Sequence, residues 1–147
     1  MCKISVVTSV YNCEKYIKET IQSVIDQTYT DWEYIIIDDC SRDNSAKIIQ
    51  SIQDDRIRFI KNETNQGQCA NLNKGIKLAR GEYIARLDHD DICYPDRFVK
   101  QLKYMEQKRG TSIHILLISF KSPIGMRLRN IFMNREFIQL SDIILSI

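Results

Sequence analysis

The sequence predicts an α/β protein built on a mostly parallel sheet with helices on both faces. Three observations predict it. The uninterrupted, β-branched runs ISVV (4–7) and WEYIIID (32–38) read as strands buried on both sides. Segments with apolar residues at helical spacing alternate with such strands in the order βαβαβαβα, which gives parallel neighbours joined by right-handed crossovers. Polar residues collect just after the strands, where open α/β sheets bind their ligands.

The elements follow in order. The first strand ends at Thr8-Ser9, and Asn12 is a candidate helix cap. Ile17, Ile21, Val24 and Ile25 then recur on one helical face between about residues 14 and 27. The second strand ends in DDCSRDNS (38–45), rich in cap and turn residues, before Ala46, Ile49 and Ile52 mark a helix. RIRFIK (56–61) alternates as a third strand, and after NETNQGQ a helix carrying Leu72, Ile76 and Ala79 closes with Gly81 at its C-cap. EYIARL (82–87) is the fourth strand, and Pro95 opens a helix with Phe98, Leu102 and Met105 on one face.

The chain's 147 residues have the length of one domain. A net charge of +2 argues against a nucleic-acid partner. The charge is uneven: residues 1–106 carry 15 basic and 17 acidic side chains, residues 107–147 carry 6 and 2. This shift divides the chain into a core, 1–106, and a basic, apolar tail, 107–147. Cys2, Cys13, Cys40, Cys69 and Cys93 are scattered, odd in number and free of any C-x-x-C pair. They read as reduced thiols of a cytoplasmic protein. The N-terminus lacks the apolar region of a secretory signal, and the longest apolar run, 115–118, is too short to span a bilayer.

The chemistry concentrates in RLDHDDICYPDRF (86–98). Asp88, Asp90 and Asp91 crowd three carboxylates into four positions at a strand end. One such aspartate reads as a helix cap. Three together point to a divalent cation, which relieves a repulsion that otherwise raises their pKa values. Oxygen-only ligands favour Mg²⁺ or Mn²⁺, ions that complete their shells with water and substrate phosphates. Asp38 and Asp39 form a second acidic point on the same rim, either as turn or cap residues or as acceptors for the imide N–H of uracil, thymine or guanine. Asp43 or Asn44 suits an Asx-turn or cap. No P-loop or G-x-G-x-x-G motif is present, so a metal must balance a bound phosphate.

Several ordered motifs carry a resemblance. ISVVTSVYNCEKYIKETIQSVIDQTYTDWEYIIIDDCSRDNS, then NQGQCANLNKGIKLARGEYIARLDHDD with a D-x-D at 88–90, then YPDRFVKQLKYME, resemble family 2 glycosyltransferases over residues 3–106. The resemblance implies a GT-A (Rossmann-like, nucleotide-diphospho-sugar transferase) fold and inverting, metal-dependent transfer. The implied donor is a nucleotide-diphosphate sugar, a UDP-sugar first, and the acceptor a glycan or lipid-linked glycan. It places Thr8, Ser9 and Tyr11 in the base and ribose pocket and Asp39 on the base imide. Asp88 holds the ribose or assists the metal, Asp90 is the metal ligand touching the diphosphate, and Asp91 orients from behind. His89 fills the variable middle position as a turn residue. Lys74 and Arg80 read as helix surface, and Leu72 stands where many relatives have an arginine.

The pattern stops after residue 106. Inverting transfer needs a general base, usually a carboxylate well downstream of D-x-D. The tail's acids, Glu136 and Asp142, sit in no motif, so no residue is assigned as base. In the tail, 113–120 could add one strand. Arg127, Arg129 and Arg135 interleave with Met126, Leu128, Ile131, Phe132, Phe137 and Ile138. This pattern fits an amphipathic basic helix lying on the inner face of an anionic membrane, or else sequence foreign to the family through truncation or frameshift. Two other functions are compatible with the residues: a nucleotide-sugar binding fragment lacking the acceptor half, and a nucleotidyltransferase. The lack of a basic glycine-rich loop argues against the latter.

Overall fold

The computed structural model describes residues 2–107, 115–121 and 127–134. The elements are β1 (Ile4–Val10), α1 (Ile17–Ile25), β2 (Trp32–Asp38), α2 (Ser45–Gln50), β3 (Ile57–Lys61), α3 (Gln68–Leu78), β4 (Tyr83–Arg86), α4 (Arg97–Gln107), β5 (Ile115–Lys121) and β6 (Arg127–Asn134). They form one sheet in the order β3-β2-β1-β4-β6-β5. The first four strands are parallel, as the alternation predicts.

Strand β1 lies at the centre, and all seven of its residues are buried. Its side chains alternate between two apolar layers. Ile4, Val6 and Val10 face Ile17, Ile21 and Val24 of α1, Ile49 of α2 and Phe98, Leu102 and Met105 of α4. Val7 faces the other way, joining Ile35, Ile37, Leu72, Ala79 and Ile84 beneath α3. A strand covered on both sides must be apolar throughout, which is why ISVV and WEYIIID show no polar alternation.

Several local expectations are corrected. Strand β1 continues through Thr8 and Ser9, because the register with β2 pairs Thr8 with Ile36 and Ser9 with Ile37. Helix α1 starts only at Ile17, and Asn12 adopts a left-handed φ of 50° instead of capping it. Helix α4 starts at Arg97, so Pro95 precedes its first turn, and the Pro95 carbonyl accepts from the Thr28 N–H at 2.9 Å. Gly81 is not the C-cap of α3, which ends at Leu78 with Ala79 extended behind it. A Cβ at Gly81 would lie 2.6 Å from the Ser5 nitrogen and 2.7 Å from the Ile4 carbonyl carbon. The glycine is needed for a close approach of backbones, not for a turn.

An amphipathic helix was one of the two expectations for the tail; Arg127–Asn134 is instead extended as β6, and residue 135 lies outside the described residues. Strand β6 pairs antiparallel with β4, and β5 pairs antiparallel with β6. The reason is the free edge of β4, whose N–H and C=O groups are satisfied by an added strand and not by a helix. The sheet thus continues past residue 106 with two strands in place of one. Glu136, Asp142 and the apolar residues 137 and 138 lie outside the described residues. Among the described residues no helix is long and apolar enough to cross a membrane.

A polar cluster closes the amino ends of the strands. Glu33 Oε1 accepts from Ser5 Oγ at 2.7 Å and from the Arg80 N–H at 2.6 Å. Its Oε2 accepts from Arg58 and Arg80 at 3.3 and 3.2 Å. Arg80 therefore belongs to the far end of the sheet, away from the acidic rim.

Candidate functional site

The strand order makes a reversal point. From β1 the chain winds outward through β2 to β3, then returns to lay β4 on the other side of β1. Open α/β sheets bind ligands beyond the carboxyl ends of strands at such a point. Residues 87–91, after β4, and 39–41, after β2, flank the end of β1 there.

The acidic turn is bound to β1 and α1. Thr8 Oγ1 donates to the Leu87 carbonyl at 2.7 Å, so the hydroxyl of Tyr34, 2.9 Å away, donates to Thr8. Burial pushes the Tyr34 hydroxyl well above its usual range, which keeps it a neutral donor. The side chain of Thr8 is thus committed within the fold. His89 is half-buried, and its Nδ1 lies 3.0 Å from the Ser9 carbonyl. A carbonyl only accepts, so Nδ1 carries a proton and donates to it. The His89 carbonyl accepts from Thr20 Oγ1 at 2.9 Å and from the Cys13 thiol at 3.3 Å. Burial, and then the nearby charge of Asp90, push that thiol to about 11, so it remains a donor. The middle residue of D-x-D is a fastening point where a solvated turn was expected.

The three aspartates are not equivalent. Asp88 Oδ1 accepts from Arg86 Nε at 3.1 Å and Nη2 at 2.8 Å, with Gln68 Nε2 at 3.4 Å. Asp91 is buried, and its N–H closes the turn on the Asp88 carbonyl at 3.2 Å. Asp90 is half-exposed, and no described group donates to its carboxylate.

Asp39 is buried and gripped from inside. Oδ1 accepts from Asn62 Nδ2 at 3.0 Å and the Gln66 N–H at 2.8 Å, and Oδ2 accepts from the Gly67 N–H at 2.9 Å. Burial alone would raise this carboxyl. Hydrogen bonding from Asn71, Gln66, Asn62 and Gly67 outweighs burial and holds it below the usual range, so Asp39 is ionised and purely an acceptor. Ser9 Oγ accepts from Asn71 Nδ2 at 3.1 Å, on the same side of the sheet. Asp38 is fully buried, and its Oδ2 accepts from the Ser41 N–H at 3.2 Å. Asp43 forms the expected Asx-turn, its Oδ1 accepting from the Ser45 N–H at 2.9 Å.

Tyr11 is exposed at the tip of β1, on a loop laced to the loop after β2. The Asn12 N–H donates to Ser41 Oγ at 3.0 Å and Asn12 Oδ1 accepts from the Arg42 N–H at 2.9 Å. Glu14 Oε2 accepts from both the N–H and Nδ2 of Asn44 at 2.9 Å. The left-handed φ of Asn12 (50°) and of Cys40 (63°) turns the two loops toward each other.

The structure thus brings Ser9, Tyr11, Asp39, Asp88, Asp90 and Asp91 to one rim, while Thr8 faces inward behind it. The sequence reading missed Arg86, Gln68, Asn62 and Asn71, and took Lys74 for helix surface. Lys74 Nζ in fact donates to Asn62 Oδ1 at 2.9 Å. The crowding of amides in NETNQGQCAN was the available signal. Leu72, which stands where the resemblance implies an arginine in many relatives, is a buried residue of α3.

The rim's donors fit a hard divalent cation. Asp88 and Asp90 are two residues apart and offer carboxylate oxygens only. Among the described residues no group of three or more His, Cys, Asp or Glu side chains converges to hold a metal alone. A two-carboxylate site suits Mg²⁺ or Mn²⁺, which fill their remaining positions with water and phosphate oxygens.

The family model described as Glycosyl transferase family 2 matches residues 5–142. A glycosyltransferase of Methanocaldococcus jannaschii is 49% identical over 126 residues, covering 83% of this chain and 43% of its own length. The Escherichia coli protein named UDP-Glc:alpha-D-GlcNAc-diphosphoundecaprenol beta-1,3-glucosyltransferase WfaP is 39% identical over 106 residues, covering 72% of this chain and 42% of its own length. The chain therefore spans about two fifths of these relatives' lengths. The mannosyltransferase PcManGT of Pyrobaculum calidifontis, solved with GDP-Man and Mn²⁺, superimposes with a TM-score of 0.79 at 16% identity, covering 95% of this chain and 46% of that one. That likeness establishes the GT-A fold. With the family match running through nearly all of the sequence, the chain belongs to glycosyl transferase family 2.

Proposed function

We propose that the chain holds the donor in a metal-dependent, inverting transfer of a sugar from a nucleoside-diphosphate carrier to a glycan or lipid-linked acceptor. The observation that carries this reading is that Asp39, after β2, and Asp88 and Asp90, after β4, stand at the carboxyl ends of the two strands that flank β1 at the reversal point. Asp39 is ionised and rigidly aimed, which suits an acceptor for a base imide N–H. Tyr11 offers an exposed ring to the base, and Ser9 and Asp88 line the route from base to diphosphate. Asp90, with Asp88, would hold Mn²⁺ or Mg²⁺, and Asp91 fixes the turn that carries both. When bound, such an ion offsets the charge of the departing nucleoside diphosphate.

The imide reading accommodates uracil and guanine alike. The name of WfaP specifies UDP-Glc and a diphosphoundecaprenol-linked acceptor, which favours UDP and a lipid-linked glycan for this chain as well. A lipid-linked acceptor would place the reaction in the cytoplasm at the membrane face. Mn²⁺ accompanies the donor in PcManGT, which supports the metal assignment.

A thermal melt tests the reading. UDP with Mn²⁺ at a hundredfold excess over Kd should contribute about 2.7 kcal/mol and raise Tm by roughly 5–10 °C. EDTA should abolish the rise. A Tm indifferent to both additions overturns the donor-site assignment.

A further inference from the structure

Asn62 stands at the end of β3, 4% exposed, and every polar atom of its side chain is used. Nδ2 gives one hydrogen to Asp39 Oδ1 at 3.0 Å and the other to Asn71 Oδ1 at 2.6 Å. Its Oδ1 accepts from Lys74 Nζ at 2.9 Å. This pattern admits one orientation of the amide only. An ammonium can only donate and a carboxylate only accept, so a flipped Asn62 would face two mismatches. Asn71, with its own Oδ1 occupied by Asn62, turns Nδ2 toward Ser9 Oγ at 3.1 Å. The backbone of Asn62 joins the same group, its N–H donating to the Asp38 carbonyl at 2.9 Å.

The result is a directed chain, Lys74 to Asn62, then Asn62 to both Asp39 and Asn71, and Asn71 to Ser9. It runs from α3 across the ends of β3, β2 and β1. We infer that Asn62 is a positioning residue for nucleotide selectivity: it holds the Asp39 carboxylate at the angle that a base imide N–H requires, while Lys74 fixes the direction of its amide. This rests on the reading of Asp39 given above. Asn62 is not proposed to touch the nucleotide. Its effect passes through the carboxylate, which separates it from a residue that merely stabilises the fold.

The discriminating quantity is the ratio of Kd for CDP to Kd for UDP, each with Mn²⁺. Uracil presents an N–H at ring position three, and cytosine presents a lone pair there, which repels a fixed carboxylate. The 147-residue chain should prefer UDP, and Asp39→Ala should remove the preference. Asn62→Ala should lower the CDP/UDP ratio by about tenfold, the scale of one well-aimed hydrogen bond to a charged group. Lys74→Met leaves the buried amide in place and removes only the ammonium, so it keeps the test available if Asn62→Ala does not fold. It should lower the ratio by about threefold with Tm nearly unchanged. If the parent chain discriminates and Asp39→Ala does not, but folded Asn62→Ala and Lys74→Met keep the full ratio, the positioning role is overturned and the Asp39 reading stands. If the parent chain itself shows no preference, the Asp39 reading fails and this inference fails with it.

Discussion

Arg86 directs both Nε and Nη2 at a single oxygen of Asp88, Oδ1, at 3.1 and 2.8 Å. One carboxylate of the acidic turn is thereby provided with a counter-charge from the strand that leads into it, and Arg86 leaves its Oδ2 unengaged. Asp90 has no comparable partner among the described residues. The two ends of D-x-D have unequal electrostatic surroundings, and an arriving cation gains most at Asp90.

Asp90→Ala should therefore abolish the Mn²⁺-dependent part of the UDP-induced rise in Tm. The variant should fold as the parent does, because none of the bonds that fasten the turn passes through the Asp90 side chain. Its Tm without ligand should equal or slightly exceed the parent's, since removing one of three crowded carboxylates relieves repulsion. A variant that still shows the full Mn²⁺-dependent rise would show that Asp90 is not a ligand.

Glu33, at the opposite end of the sheet, makes stability depend on pH. Burial raises its carboxyl, but hydrogen bonds from Ser5, Arg80 and Arg58 outweigh burial and leave it below the ordinary value of 4.5. A group depressed in the folded state stabilises fully above its unfolded pKa and loses that contribution as pH falls through the folded one. The loss should thus begin below about pH 4.5 and grow with further acidification. Glu33→Gln should cost roughly 2 kcal/mol at neutral pH, a figure reduced from the buried-pair range because Arg80 is largely exposed. Urea midpoints of parent and variant should converge in acid; a constant gap across pH would count against the assignment.

Gly81 and Gly75 differ in what surrounds them. A Cβ on Gly81 meets the backbone of Ile4 and Ser5, in the central strand, whereas a Cβ on Gly75 meets a methyl of Val7. The contact on Gly75 is the shorter, 2.3 Å against 2.6 Å, and Val7 is stiff. A single side chain can nevertheless yield by a small shift, whereas Gly81 would displace the paired backbone of β1. Gly81→Ala should cost about 3 kcal/mol or more and Gly75→Ala nearer 1 kcal/mol. Denaturant unfolding of the two variants checks the order, and equal losses would mean that the strand yields after all.

Much of this arrangement was legible in the residues. The unbroken apolar runs marked strands with two covered faces, and the carboxylates after β2 and β4 marked the rim. What escaped the sequence was pairwise and distant. Thr8 reads as a polar residue at a strand end, yet it lies inside β1 because Tyr34, on the neighbouring strand, supplies a hydroxyl in the core. Lys74 sits on a helix with ordinary surface spacing, and only the return of β3 beside α3 gives its ammonium an inward partner. Gly81 looks like a helix terminator by position along the chain, but its reason is the backbone of β1. For the tail, alternating arginines and apolar residues suit a helix face and a strand nearly equally. The open edge of β4 decides between them.

The bonds that fasten the acidic turn to β1 join residues far apart in the chain. Thr8 meets Leu87 across 79 positions, and Ser9 meets His89 across 80. Contacts of such separation carry a large loop-closure entropy and form after local structure in a folding chain. β1, β2 and β3 with α1 and α2 can associate from the first 61 residues, whereas the rim has no acidic turn until β4 inserts beside β1. Ligand-holding capacity should consequently appear as a late event in folding, and during synthesis only after the segment through residue 91 has emerged.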